Sequence, residues 1–118
     1  MPSSTTAIGR QAEAVVASWL QNKHGHQIIA QNYRTRFYEI DIISQSPSGN
    51  YYFTEVKYRK NASRGNGLDA ITPQKLGQMH FAAEIFTSDN NLKAPIRLAA
   101  ASVMGANFQL KDFVIINE

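Results

Sequence analysis

The sequence predicts an α/β domain: a mixed β-sheet of about five strands flanked by helices, in the order helix, three strands, helix, two strands. Three observations lead there. Apolar residues recur at helical spacing in two separated segments. Segments rich in branched and aromatic residues lie between and after them. Turn-forming residues cluster at the joints. A length of 118 residues suits one domain over 1–118. Area scaling hides about two-thirds of the extended surface of such a chain, enough for one core.

The first helix is expected from about Thr6 to His24. Ile8, Ala12, Val15, Val16, Trp19 and Leu20 form its apolar stripe, Ser3 to Thr6 supply candidate N-caps, and Gly25 offers the stop. Glu13 shares a face with Val16, Ala17 and Leu20, so its carboxylate borders that stripe. Strands follow at His26–Arg34, Tyr38–Gln45 and Tyr51–Arg59. The third alternates, with Tyr51, Phe53, Glu55, Lys57 and Arg59 on one face. Ser46-Pro47-Ser48-Gly49-Asn50 joins the last two strands as a hairpin turn. Residues 1–5 are expected to be disordered, and 60–68 to form a mobile, glycine-rich polar loop. Thr72 as N-cap and Pro73 at the first helical position open the second helix, whose core stripe is Leu76, Met79, Ala83 and Phe86. Ser88 to Asn91 end it, and strands are expected at Pro95–Val103 and Phe108–Ile116, on either side of Gly105.

Composition narrows the function classes. With 43% hydrophobic and 18% charged residues the chain is neither disordered nor membrane-embedded. No apolar run approaches the roughly 20 residues of a spanning helix, and the N-terminus lacks the order of a signal peptide. The absence of cysteine excludes disulfides and thiolate metal sites and fits a cytoplasmic protein. Twelve basic against nine acidic residues give a net charge of +3, a modest excess that is concentrated. Lys57, Arg59, Lys60, Arg64 and Lys75 are opposed only by Asp69 between residues 57 and 75, and Arg34 with Arg36 forms a second group. A solvated basic face is the plain reading of this charge taken alone.

The chemistry emerges when the hairpin is paired. A turn centred on Ser48 matches residues whose numbers sum to 96, which sets Asp41 opposite Glu55 and Glu39 opposite Lys57. Like charges directly across a ladder destabilise it, so two such carboxylates must share a proton, separate their pKa values or bind a cation. With oxygen ligands only, the cation is Mg²⁺ or Mn²⁺. Lys57 lies two residues beyond Glu55 on the same face, within reach of the space beside that ion. Two acids holding a divalent ion, with a lysine alongside, suit phosphodiester hydrolysis. Val56 would turn its side chain away and leave its carbonyl as a further ligand.

Asp41 followed by Glu55-Val56-Lys57 resembles the PD-(D/E)xK nuclease motif. As a whole the chain resembles the YraN family, small bacterial proteins related to archaeal Holliday junction resolvases. The likeness is carried by Gly9 to Ala17, Gln31-Asn32-Tyr33-Arg34, Glu39-Ile40-Asp41, Glu55 to Arg59 and Ala70 to Lys75, and is looser after residue 92. It implies a restriction-endonuclease-like core and a Mg²⁺- or Mn²⁺-dependent hydrolase acting on DNA, with a preference for branched or structured DNA and a homodimeric state. It implies that Asp41, Glu55 and the Val56 carbonyl ligate the metal, that Lys57 is the catalytic lysine, and that Glu13 assists. The chain departs from the family pattern at Ala12 and Tyr38, where glycine is usual, and at Arg97-Leu98-Ala99, where an acid is usual in place of Ala99.

Arg10, Arg34, Arg36, Arg59, Lys60, Arg64, Gln74 and Lys75 are the expected nucleic-acid contacts, giving affinity without reading sequence. Lys75 and Gln74 stand in the first turn of the second helix, where free N–H groups favour phosphate. Simpler readings stand beside these: a cross-strand ion pair of Lys57 with Glu39, an ordinary surface glutamate at Glu13, and core packing for Trp19 and the strand tyrosines Tyr51, Tyr52 and Tyr58. His24, His26 and His80 are taken as structural. A nucleic-acid-binding module without turnover and a small interaction protein with an acidic ion-pair hairpin are the competing functions.

Overall fold

A computed structural model describes residues 7–61 and 71–116. Its elements run α1 (Ala7–His24), β1 (Gln27–Arg34), β2 (Glu39–Gln45), β3 (Tyr51–Arg59), α2 (Pro73–Asp89), β4 (Ile96–Met104) and β5 (Gln109–Ile115). This is the expected order, with each boundary within about two residues of expectation. The expected disordered start and the loop at 62–68, Arg64 included, lie outside the described residues.

The five strands form one sheet in the order β1-β2-β3-β4-β5. Only β3 and β4 run parallel. That pairing requires a crossover, and α2 supplies it. The two helices cover opposite faces. Val16, Ala17 and Leu20 of α1 pack with Ile42, Ala101 and Val103, while Met79, Ala82, Ala83 and Phe86 of α2 pack with Ile43, Phe53 and Leu98. Neighbouring residues Ile42 and Ile43 thus serve opposite cores, as strand alternation dictates. The buried run Leu98 to Val103 on β4 is apolar or small throughout because both of its faces are covered.

Local signals in the sequence act where expected. Gly25 has φ of 69°, the left-handed geometry that ends α1, and the His26 N–H closes onto the Leu20 carbonyl at 3.0 Å. Thr72 caps α2, its hydroxyl accepting from the Lys75 N–H at 3.1 Å, with Pro73 following. Gly49 has φ of 97° in the β2–β3 turn. One stripe position is corrected: Ile8 is 50% exposed, in the first turn of α1 ahead of the buried stripe that begins at Ala12. His26 is buried with Nδ1 2.9 Å from the Ser44 hydroxyl, whereas His24 and His80 are exposed. Among the described residues no helix is long and apolar enough to cross a membrane.

Candidate functional site

The β2–β3 hairpin pairs as its turn dictates, but only in part. Ile42–Thr54, Ile43–Phe53, Ser44–Tyr52 and Gln45–Tyr51 all obey the sum of 96. The ladder then stops. Beyond it β2 remains with β1 as far as Arg34–Glu39, and β3 remains with β4 as far as Arg59–Met104. The two strands separate into a fork, and the candidate residues stand in it.

Two irregularities shape that fork. Ile40 packs with the α2 core and Ile42 with the α1 core, although alternation would put them on one face. The break therefore falls at Asp41. Across from it on β1, between the pairs Gln31–Ile42 and Tyr33–Ile40, stands Asn32 with φ of 53°. Asparagine tolerates this left-handed conformation better than most residues. Ala30 and Tyr33 consequently share the α2-side core despite being three residues apart.

The reorientation gives Asp41 a role other than the expected ladder pair. Its Oδ2 accepts from the Val56 N–H at 2.8 Å, supplying the backbone partner that β2 no longer provides. An extended residue directs its N–H and C=O to the same side, so the Val56 carbonyl faces the same fork. The Val56 side chain, expected to turn away from the site, packs against the α1 core and still lines the cavity that Glu13 enters. Glu39 does not pair with Lys57: it meets Arg34 at 3.7 Å, its neighbour in the β1 register. Lys57 instead reaches back along its own face to Glu55 Oε2 at 3.2 Å, and Lys75 of α2 approaches Glu55 Oε1 at 3.5 Å. Glu55 thus holds one cation on each oxygen while only 7% exposed. Burying a carboxylate is tolerable only when it is paired in this way.

Glu13 enters from α1. It is 6% exposed, in the middle of the stripe Ala12, Val16, Ala17 and Leu20, so it is not an ordinary surface glutamate. Its carboxyl hydrogen-bonds to the side chains of Asn32 and Asp41, and Oε1 remains buried without a hydrogen-bond partner. Burial raises the Glu13 pKa against the lowering effect of those bonds, and Glu39 and Glu55 add to the rise. Burial, then the Glu55 charge, push Asp41 up to about 8, the Val56 N–H opposing them. A hydrogen bond between two carboxyls needs a proton on one of them, and both upward shifts favour that proton.

Glu13, Asp41, Glu55, Val56 and Lys57 line one cavity of about 210 Å³, closed by Gly9, Ala12 and Tyr58. Residues from a helix and two strands, spread over 45 positions of sequence, therefore meet in one concavity. Among the described residues no group of three His, Cys, Asp or Glu stands as a preformed metal cage. Two lysines meet Glu55 and a backbone amide meets Asp41, while Glu13 Oε1 stays without a partner.

The expected nucleic-acid residues divide by place. Lys75 belongs to the acidic site itself. Arg10, Lys60 and Gln74 are exposed, Arg59 is partly buried at the end of β3, and Arg34 is engaged with Glu39. The Arg36 guanidinium lies 5.3 Å from the centroid of the Phe37 ring. Tyr58 stacks on Phe108 and donates to the Gly105 carbonyl at 3.0 Å, and Tyr52 packs on His26, so both are occupied by packing. Sequence reasoning missed Asn32 as a site residue. Its signal was an asparagine inside an otherwise regular strand pattern, a residue type suited to an irregular backbone position.

Comparison with known proteins places the chain among relatives. A family profile described as "Uncharacterised protein family UPF0102" matches residues 12–109. A UPF0102 protein of Deinococcus radiodurans is 40% identical over 99 residues, covering 82% of this chain and 80% of the relative. Another, of Chlorobium chlorochromatii, is 39% identical over 106 residues, covering 90% of this chain and 78% of the relative. The matched span contains Glu13, Asp41, Glu55 and Lys57 together with both helices' core faces and most of the sheet, and on that breadth the chain belongs to the UPF0102 family.

Proposed function

We propose that this protein is a divalent-metal-dependent nuclease of the PD-(D/E)xK type that hydrolyses DNA phosphodiester bonds, with branched or structured DNA as its preferred substrate. One observation carries the reading: Glu13, Asp41, Glu55 and Lys57 line a single cavity where the hairpin ladder opens.

The donor set suits Mg²⁺ or Mn²⁺. Three carboxylates and the Val56 carbonyl offer hard oxygen ligands, and the partnerless Glu13 Oε1 with the displaced Asp41 pKa marks a shortage of positive charge. Asp41, Glu55, the Val56 carbonyl and Glu13 are the residues that would hold the ion. When bound, it supplies Lewis acidity at the phosphate and lowers the pKa of water. The chain's own groups do the rest. Lys57 places an ammonium where charge grows on the phosphate oxygens. Glu55 positions Lys57 through their 3.2 Å contact, and Lys75 brings a second cation to the same carboxylate. Asn32 and Asp41 fix the Glu13 carboxyl, which can take up or release a proton at the wall of the cavity. A pair of these domains would offer a junction more surface than one, and a homodimer belongs to this reading.

The test is a nicking assay on plasmid and four-way junction DNA with Mg²⁺, Mn²⁺ and chelator side by side. Metal-dependent cutting lost in Glu55→Ala is the expected result, and cutting retained by that variant refutes the assignment. A second reading, a DNA-binding module with little turnover, draws on the same geometry: both Glu55 oxygens already face lysines, and buried Ala99 stands where the related pattern has an acid. Calorimetric titration with Mn²⁺ separates the two, since the module shows no metal binding that depends on Asp41 and Glu55.

A further inference from the structure

The turn joining β1 to β2 carries a feature that the acidic site does not use. The Thr35 N–H donates to the Tyr38 carbonyl at 2.9 Å, and the Thr35 hydroxyl accepts from the Phe37 and Tyr38 N–H groups at 3.1 and 3.3 Å. These bonds fix the tip and present Phe37, which is 76% exposed. Arg36 lies against its ring. Tyr38 meets Phe81 edge-on at 6.2 Å, and Phe81 is itself 50% exposed. Between the tip and α2 is a cleft of about 120 Å³ lined by Phe37, Tyr38, Glu39, Lys75, Gln78 and Met79.

We infer that this cleft receives an unpaired nucleobase of a DNA strand whose backbone passes the neighbouring acidic fork. The inference rests on the nuclease reading of the fork and adds the element of substrate it engages. Three observations select the occupant. The lining offers aromatic rings on a fixed turn, and flat rings that stay exposed are stacking platforms for bases. Lys75 is shared: it lines the cleft and also lies 3.5 Å from Glu55 in the fork, so one cation borders both places. Glu39 in the lining disfavours a phosphate deep in the cleft, while Lys75 in the lining and Arg36 on the Phe37 ring favour phosphates beside the stacked base. A base with its phosphates outside meets all three conditions. A base still paired in a duplex cannot reach the rings, so the cleft selects unpaired or frayed positions.

The experiment measures binding in chelator, so that no cleavage is needed. The probe is a single-stranded oligonucleotide carrying a fluorescent base analogue that stacking quenches, compared with the same strand fully paired. The wild-type protein is expected to quench the single strand and to bind it more tightly than the duplex. Phe37→Ala should abolish the quench and weaken single-strand affinity between about fivefold and a hundredfold, the scale of one lost base–aromatic stack. Phe37 is too exposed for its loss to unfold the chain. Val114→Ala, an exposed apolar residue on the opposite edge strand, should change neither property. Unchanged quenching in Phe37→Ala overturns the inference. So does a wild-type dimer that Phe37→Ala converts to monomer in sedimentation without any quench, because a second copy then covers the cleft. Quenching that depends on Phe37, with no metal-dependent nicking, upholds the cleft and rejects the nuclease. Nicking without such quenching does the reverse.

Discussion

The two ends of the β2–β3 hairpin obey one pairing rule and reach opposite outcomes. At the closed end, Gln45 meets Tyr51, the turn bonds Ser46 to Asn50, and Ile43 and Phe53 seal a core. Polar backbone groups there are satisfied by one another. At the open end the next pair in the series would be Asp41 with Glu55, and the ladder does not form. One carboxylate bonds a backbone amide, the other takes two lysines, and a third arrives from α1. The comparison shows how a hairpin can be stable and still crowd acids together: apolar packing anchors one end, so the other can gather like charges that pairing alone would not tolerate.

The largest expected effect tests the anchor. Phe53→Ala removes a fully buried ring that meets Phe86 at 5.8 Å, and should cost about 3–5 kcal/mol in denaturant unfolding. A loss under about 1 kcal/mol would mean that the closed end does not hold the hairpin.

Asp41→Asn tests the open end. It keeps size and prevents the carboxylate from forming, and on the proposed nuclease reading metal-dependent cleavage should fall by about 10²–10³-fold with the fold intact by circular dichroism. Wild-type cleavage in this variant would detach the fork from the chemistry.

The same variant carries a pH signature. Folded Asp41 keeps its proton up to about 8, whereas the unfolded chain loses it near the ordinary aspartate value of 3.8. Unfolding then releases a proton between those limits, so in chelator stability falls as pH rises through this window. The penalty is absent below the unfolded pKa and complete above the folded one. Thermal melts of Asp41→Asn should show less of this decline than wild type, and parallel curves would contradict the assigned shift.

The smallest effect lies at the boundary between the two ends. Thr54, the last residue of β3 paired with β2, buries Oγ1 without a hydrogen-bond partner. Thr54→Val should gain about 1 kcal/mol by removing an unsatisfied hydroxyl of nearly the same shape. A loss instead would show that the fork supplies that hydroxyl with a partner.

Much of this was legible in the sequence because it is set by local chemistry. Thr72-Pro73 starts a helix and Gly25 ends one through their own backbone preferences, and Ser46 to Asn50 fixes a turn whose centre determines the register of four pairs. Asp41, Glu55 and Lys57 could be found by counting from that turn. What counting could not reveal was that the ladder ends one pair early, that Asn32 adopts a left-handed φ, or that Glu55 takes its second cation from α2.

The sequence by itself determined the elements, their order and the residues of the acidic cluster, since propensities and turn geometry act over a few neighbouring positions. Only the tertiary structure decided how those side chains are satisfied. Asn32 reaches Glu13 and Lys75 reaches Glu55 because α1 and α2 pack on opposite faces of one sheet, and such contacts depend on distances in space that spacing along the chain does not encode.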